Sequence, residues 1–112
     1  MRRQTIANGK KVMDDLLEGA LGELSPSAPR GARAALNELR ARLKPIRTTR
    51  QLRRFEREVE AFLQGKPFLR AATQRYLGKE TLRLAKAAHA TLKRAYAAIL
   101  KYKRAKAGTL TN

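Results

Sequence analysis

Side chains that could do acid–base or metal chemistry are few in this sequence. His89 is the only histidine among 112 residues, and cysteine is absent. A metal centre needs several ligands, and a general acid–base pair needs two titratable groups in different environments. His89 falls near the apolar edge of a predicted helix, so we interpret it as a hydrogen-bonded structural residue. We predict a protein that is not an enzyme and has no catalytic residue, metal, cofactor or small-molecule substrate.

Three carboxylates, Asp14, Asp15 and Glu18, share one turn of a predicted helix near the N-terminus. They would hold a cation only with ligands from elsewhere. An acidic face at one end of the molecule and a basic face at the other would let copies associate head to tail. We therefore predict that these three residues contact protein, either other subunits or a second copy of the chain.

Basic residues dominate the sequence and indicate a polyanionic partner. Lysine and arginine total 26 against nine aspartates and glutamates, so the formal charge is +17. Residues 61–112 hold 12 of the basic residues but a single acid, Glu80. A chain with this imbalance repels itself, and a nucleic acid would relieve the repulsion while releasing its own counterions. RNA or DNA is the predicted partner, and the sequence leaves open which of them, and whether single- or double-stranded.

The largest predicted contact is a basic stripe on the last helical region. At 100° per residue, eight cations share one sector, with Glu80 at its edge. They are Arg75, Lys79, Arg83, Lys86, Lys93, Arg94, Lys101 and Arg104. Between Lys79 and Arg104 the rise is about 37 Å, close to one turn of a duplex. Tyr102 lies among basic residues and is predicted to contact nucleic acid by stacking on a base, whereas Tyr76 is interpreted as core.

A second predicted contact is an arginine face on the third predicted helix. Its members are Arg50, Arg53, Arg54 and Arg57. They point away from the apolar Leu52 and Phe55, and an arginine guanidinium makes forked contacts with phosphate. Because Glu56, Glu58 and Glu60 flank the face, an ordinary solvated surface is an open alternative. Another is a helix-turn-helix, in which this helix would enter a major groove.

Apolar residues recur at three- and four-residue spacing through most of the chain, which indicates helices. Strong helix formers dominate, and no strand pattern occurs. Prolines, glycines and a capping box at Thr48 and Gln51 set the predicted boundaries. The predicted helices cover residues 5–24, 31–44, 48–64, 67–78 and 79–105. Whether Gly78 breaks or only bends the last helical region stays open.

These elements predict an all-α fold, a compact bundle of four to five helices with a long basic C-terminal helix. A single helical domain would cover residues 1–107, followed by a disordered tail over 108–112. Gly9, Gly19 and Gly22 weaken the first helix unless another helix approaches closely there.

Two functional hypotheses fit this sequence. The first is a non-enzymatic nucleic-acid-binding subunit that contacts the phosphate backbone through a basic helical face, within a multi-subunit nucleoprotein assembly. In size, charge and helicity the chain is similar to the small helical subunits of CRISPR effector complexes, and to some phage packaging and virion proteins. The second is a phage-type structural, adaptor or inhibitor protein that acts through protein contacts.

A membrane partner is not expected. The apolar face of the last helix is rich in alanine, and the chain has no tryptophan to insert into a bilayer surface. We expect a cytoplasmic location, with the nucleoid or a virion as alternatives.

Overall fold

A computed structural model describes the backbone of residues 2–64 and 75–111, and the side chains of residues 5–64 and 75–102. This part of the chain forms five helices and no strand. The helices are α1 (Arg2–Glu23), α2 (Arg30–Leu43), α3 (Thr49–Leu63), α4 (Lys79–Ala87) and α5 (His89–Thr111). The prediction of an all-α bundle of four to five helices is confirmed. No helix in the described ranges is long and apolar enough to cross a membrane.

The start of α3 is set by the side chains of Thr48 and Gln51, which form the predicted capping box. Thr48 caps the helix, and its hydroxyl accepts a hydrogen bond from the Gln51 backbone N–H at 3.1 Å. The Gln51 side-chain oxygen accepts from the Thr48 backbone N–H in return. This reciprocal pair satisfies two backbone donors that a helix N-terminus otherwise leaves free. It thereby determines which residues of α3 face the core and which face solvent.

The core is built mainly from leucine and alanine. The largest fully buried side chains are Leu17, Leu36, Leu39, Phe55, Val59, Leu63 and Leu92. Helix α1 packs against α2, α3 and α5, while α2 also packs along α4. Because small side chains fill the interfaces, the helix backbones approach closely.

Glycines mark the closest approaches between helices. A Cβ atom at Gly31 of α2 would overlap the backbone carbonyl group of Leu84 in α4. Gly9 lies against Leu52, and Gly19 lies against Ile99. These contacts explain two of the three glycines that weaken α1, whereas Gly22 faces open space.

Residues 79–105 do not form the single helix that the sequence predicted. Gly78 has an extended backbone and is the N-cap of α4. The last helical region is therefore broken at Gly78, not bent there. Its backbone N–H donates to a carboxylate oxygen of Glu38 on α2. The helix is interrupted again at Ala88, where φ is −99° and ψ is 13° instead of helical values.

The interruption at Ala88 follows from tertiary packing, because the two flanking helices have different neighbours. Helix α4 lies along α2, whereas α5 lies along α1. At the junction, His89 Nε2 donates a hydrogen bond to the carbonyl oxygen of Phe62 in α3 at 2.9 Å. The two rings also meet edge to face, with centroids 6.0 Å apart. His89 is therefore a hydrogen-bonded structural residue, as predicted.

Two predicted segments lie at the ends of the residue ranges that the structure describes. The predicted helix 67–78 lies mostly outside the described residues, and its last four residues form a turn before α4. Helix α5 extends to Thr111 and so overlaps the segment 108–112. The predicted disorder of that segment, and the single domain over 1–107, stay predictions.

The contact at Gly31 yields a test of the packing between α2 and α4. We expect Gly31→Ala to lower the free energy of unfolding by about 2 kcal/mol, because the added methyl meets backbone that cannot rotate away. Gly22→Ala is the matched control, and we expect it to be neutral or stabilising by up to about 1 kcal/mol. Urea denaturation followed by circular dichroism measures both. Equal effects of the two substitutions would contradict the close contact.

Candidate nucleic-acid interface

The structure brings the four predicted arginines of α3 onto one exposed face. Arg50, Arg53, Arg54 and Arg57 are all exposed, on the side of α3 opposite its buried Leu52, Phe55 and Val59. Together with Thr49 and Gln51 they line a shallow cleft of about 560 Å³. We refer to these four residues as the arginine face.

Most of the arginine face has no carboxylate partner. Arg54 Nε lies 3.6 Å from Glu58 Oε1. Arg50, Arg53 and Arg57 form no ion pair with any residue that the structure describes. The flanking acids therefore leave three guanidinium groups without an ion pair in the described part of the chain, and an ordinary solvated surface stays an alternative for this face.

Glu58 is buried and pairs with only one member of the arginine face, Arg54. It is 6% exposed, and its Oε1 lies 3.6 Å from both Arg54 Nε and Arg75 Nη1. Burial raises the pKa of Tyr76 to about 12, with a smaller contribution from its hydrogen bond to Glu58. The Tyr76 ring packs edge to face on Phe55, with centroids 5.0 Å apart. Glu58 thus anchors the turn before α4 onto α3, and Tyr76 packs on the core as predicted.

The predicted basic stripe is not continuous. Placing its eight members in one sector assumed an unbroken helix, and the altered backbone at Ala88 removes that common phase. Two members are also paired with acids. Arg75 contacts Glu58, and Arg83 Nε donates to Glu80 Oε2 at 3.2 Å. The hydrogen bond from Arg83 lowers the pKa of Glu80, and both side chains of this pair are exposed.

Helix α5 carries three of the stripe residues that form no ion pair among the described residues. Lys93, Arg94 and Lys101 are exposed on α5, and the helix sequence contains no acid. We call these three residues the α5 basic face. Tyr102 beside them is 66% exposed. Lys79 and Lys86 are exposed on α4, while the side chain of Arg104 lies outside the described residues.

The N-terminal carboxylates are tied to a residue that sequence reasoning did not connect with them. Arg40 of α2 donates to both carboxylate oxygens of Asp14, at 2.8 and 3.1 Å, and lies 3.7 Å from Glu18. The hydrogen bond from Arg40 lowers the pKa of Asp14. Oxygens of Asp14, Asp15 and Glu18 lie within 4.8 Å of one another, as a cation site would require. Arg40 pairs with two of these three carboxylates, Asp14 and Glu18, and its distance of 26 residues from Asp14 along the chain concealed the pairing in the sequence.

Comparison with protein-family models, with curated proteins and with solved structures finds no match to this chain. The surfaces described above therefore carry the functional inference by themselves.

The Asp14–Arg40 pair yields a test of its structural role. We expect Asp14→Asn to lower the free energy of unfolding by about 1 kcal/mol at pH 7, because the bidentate pair is lost at a partly exposed site. Asp15→Asn, next to it and exposed, should change stability by less than about 0.5 kcal/mol.

The pH dependence of this difference is a further check. The pKa of Asp14 is lower in the folded state than its ordinary value of 3.8, so the ionised carboxylate stabilises the fold at pH values above 3.8. This stabilisation is lost as the pH falls through the lowered pKa. Urea unfolding at pH 7 and pH 2 should show the gap between wild type and Asp14→Asn shrinking at pH 2. A gap that stays constant would contradict the ion pair.

Proposed function

We propose that this protein is a non-enzymatic nucleic-acid-binding subunit that contacts the phosphate backbone, with the arginine face as its principal contact. The observation that carries the proposal is the set of three exposed arginines, Arg50, Arg53 and Arg57, that have no carboxylate partner in the described part of the chain. Arginine suits this role because its planar guanidinium donates two parallel hydrogen bonds to one phosphate.

The spacing of these arginines suits a backbone lying along the helix. They occur at i, i+3 and i+7 on α3, so they rise by about 4.5 and 6 Å between neighbours. A row with this spacing can meet successive phosphates without reading bases. Each phosphate neutralised releases condensed counterions, which favours binding most at low salt.

The α5 basic face is the second contact in the proposal. Its Lys93, Arg94 and Lys101 follow the junction at which His89 joins α5 to α3. The two basic faces thus belong to neighbouring helices. Tyr102 adds an exposed ring next to the cations, and a ring in this setting can stack on a base of a single strand.

The setting that we propose is a multi-subunit nucleoprotein assembly. The formal charge of +17 is what remains after all nine acids are counted against the 26 bases, so ion pairs within the chain cannot lower it. Such a charge is best balanced by a polyanion that several subunits share. Small helical subunits of CRISPR effector complexes and some phage packaging or virion proteins are the classes that this description resembles.

The test compares two triple substitutions that remove the same charge. One variant is Arg50→Ala, Arg53→Ala and Arg57→Ala on the arginine face. The matched control removes three exposed arginines of α2 that have no carboxylate partner among the described residues. The control substitutions are Arg30→Ala, Arg33→Ala and Arg42→Ala. Fluorescence anisotropy with single-stranded RNA, single-stranded DNA and duplex DNA at several salt concentrations gives the affinities.

We expect the arginine-face variant to bind at least about tenfold more weakly than the control at low salt, by a similar factor across sequences. The slope of log affinity against log salt should shrink by about 0.7 to 0.9 for each phosphate that the variant no longer neutralises. Equal reductions in affinity for the two variants would contradict the placement of the contact. Failure of the wild type to bind any of the three nucleic acids at low salt would overturn the function and favour an adaptor acting through proteins.

A further inference from the structure

A groove lies between the N-terminal half of α1 and the C-terminal half of α2, and none of its lining residues belongs to the arginine face. Its volume is about 1130 Å³. The floor is apolar, formed by Ile6 and Ala7 of α1, Ala41 and Leu43 of α2, and Ile46 after α2. Ile6 is partly exposed and Ala7 and Ala41 are exposed, whereas Leu43 and Ile46 are buried, so the accessible part of the floor is Ile6, Ala7 and Ala41. The packing of the bundle leaves this apolar strip uncovered within the described part of the chain.

The rim of the groove is basic. Asp14 is the single acid among its described lining residues, and Arg40 neutralises it. Lys10 donates to the carbonyl oxygens of Lys44 and Ile46, at 2.7 and 3.0 Å, and so balances the negative end of α2. Lys11, Lys44 and Arg47 are exposed and form no ion pair among the residues described, although Lys44 is close enough to contribute to the lowered pKa of Asp14. These three cations are available to an incoming partner.

We propose that this groove binds an acidic amphipathic helix of a partner protein. Apolar side chains at i, i+3, i+4 and i+7 of that helix would pack on the floor, as in other helix-in-groove complexes. Its flanking glutamates or aspartates would pair with Lys11, Lys44 and Arg47. The stretch from Ile6 to Asp14 rises about 12 Å, which matches two turns of a bound helix.

The apolar floor distinguishes this partner from a nucleic acid. A phosphate backbone gains nothing from Ile6, Ala7 or Ala41, whereas an amphipathic helix buries its apolar face there. The charge of the rim in turn selects acidic over basic helices, because a like-charged partner would be repelled. The groove would thus recruit a protein while the arginine face stays accessible, and the inference does not require the proposed function.

The test uses a designed peptide as the probe. A fluorescently labelled helix of 14 residues carries leucines at i, i+3, i+4 and i+7 and glutamates on both flanks. A second peptide has the same composition in an order that spreads the leucines around the helix. Anisotropy is measured at about 0.3 M salt, where non-specific attraction to the basic surface is weakened. We expect the amphipathic peptide to bind at least about tenfold more tightly, and equal affinities would overturn the proposal.

Two neighbouring substitutions on α1 locate the site. Ala7→Asp places a carboxylate in the groove, and Asn8→Asp places one on the adjacent exposed position that does not line it. We expect Ala7→Asp to weaken peptide binding about tenfold and Asn8→Asp to change it less than about twofold. Thermal unfolding of both variants checks that the fold is kept. Equal effects on binding would overturn the assignment.

Two further measurements separate this inference from the proposed function. The arginine-face triple variant should bind the peptide as the wild type does, whatever happens to its affinity for nucleic acid. Single-stranded RNA binding is measured for Ala7→Asp as well. If this substitution weakens RNA binding about as much as peptide binding, the groove belongs to a nucleic-acid interface and the proposal is wrong. Unchanged RNA binding with weakened peptide binding supports it.

Discussion

Close approach of helix backbones is the constraint on which the rest of this structure depends. With six aromatic residues and no tryptophan, the chain fills its core mainly with leucine and alanine, so its helices must lie near one another. The tightest contact places Gly31 of α2 directly against the backbone of Leu84. Helix α4 packs along α2 at this contact and α5 packs along α1, and the helix is interrupted between them at Ala88.

The same constraint decides what becomes of the charges. Few acids are present, and several of them hold the structure together instead of screening the basic surface. Glu58 is buried between two arginines, Glu38 receives the backbone N–H of Gly78, and Asp14 is bound by Arg40. These carboxylates are used by Arg54, Arg75, Arg40 and the backbone of Gly78, whereas Arg50, Arg53 and Arg57 form no ion pair among the described residues. The arginine face and the α5 basic face stay positive as a result, which is the physical basis of the proposed binding to a polyanion.

Two surfaces with different chemistry result from this arrangement. The arginine face is a row of forked donors on one helix, without an apolar floor, and suits a phosphate backbone. The groove between α1 and α2 combines an apolar floor with a basic rim and suits an acidic helix. A subunit that uses both could attach a nucleic acid to a second protein, which is the role expected of a small component of a nucleoprotein assembly.

The sequence by itself determined the helical class, the boundary at Thr48, the structural role of His89 and the composition of the arginine face. The helical class, the boundary at Thr48 and the arginine face depend on residues within about two turns of one helix, where periodicity and capping act locally. His89 was interpreted from its place at the apolar edge of a helix, while its partner Phe62 became visible only in the fold. Only the tertiary structure decided the interruption at Ala88, the inward turn of Glu58 and the pairing of Asp14 with Arg40. Those features arise between residues far apart in the chain, and no local pattern encodes such contacts. For that reason the basic stripe, which assumed one unbroken helix, is divided between α4 and α5, while the arginine face kept its form.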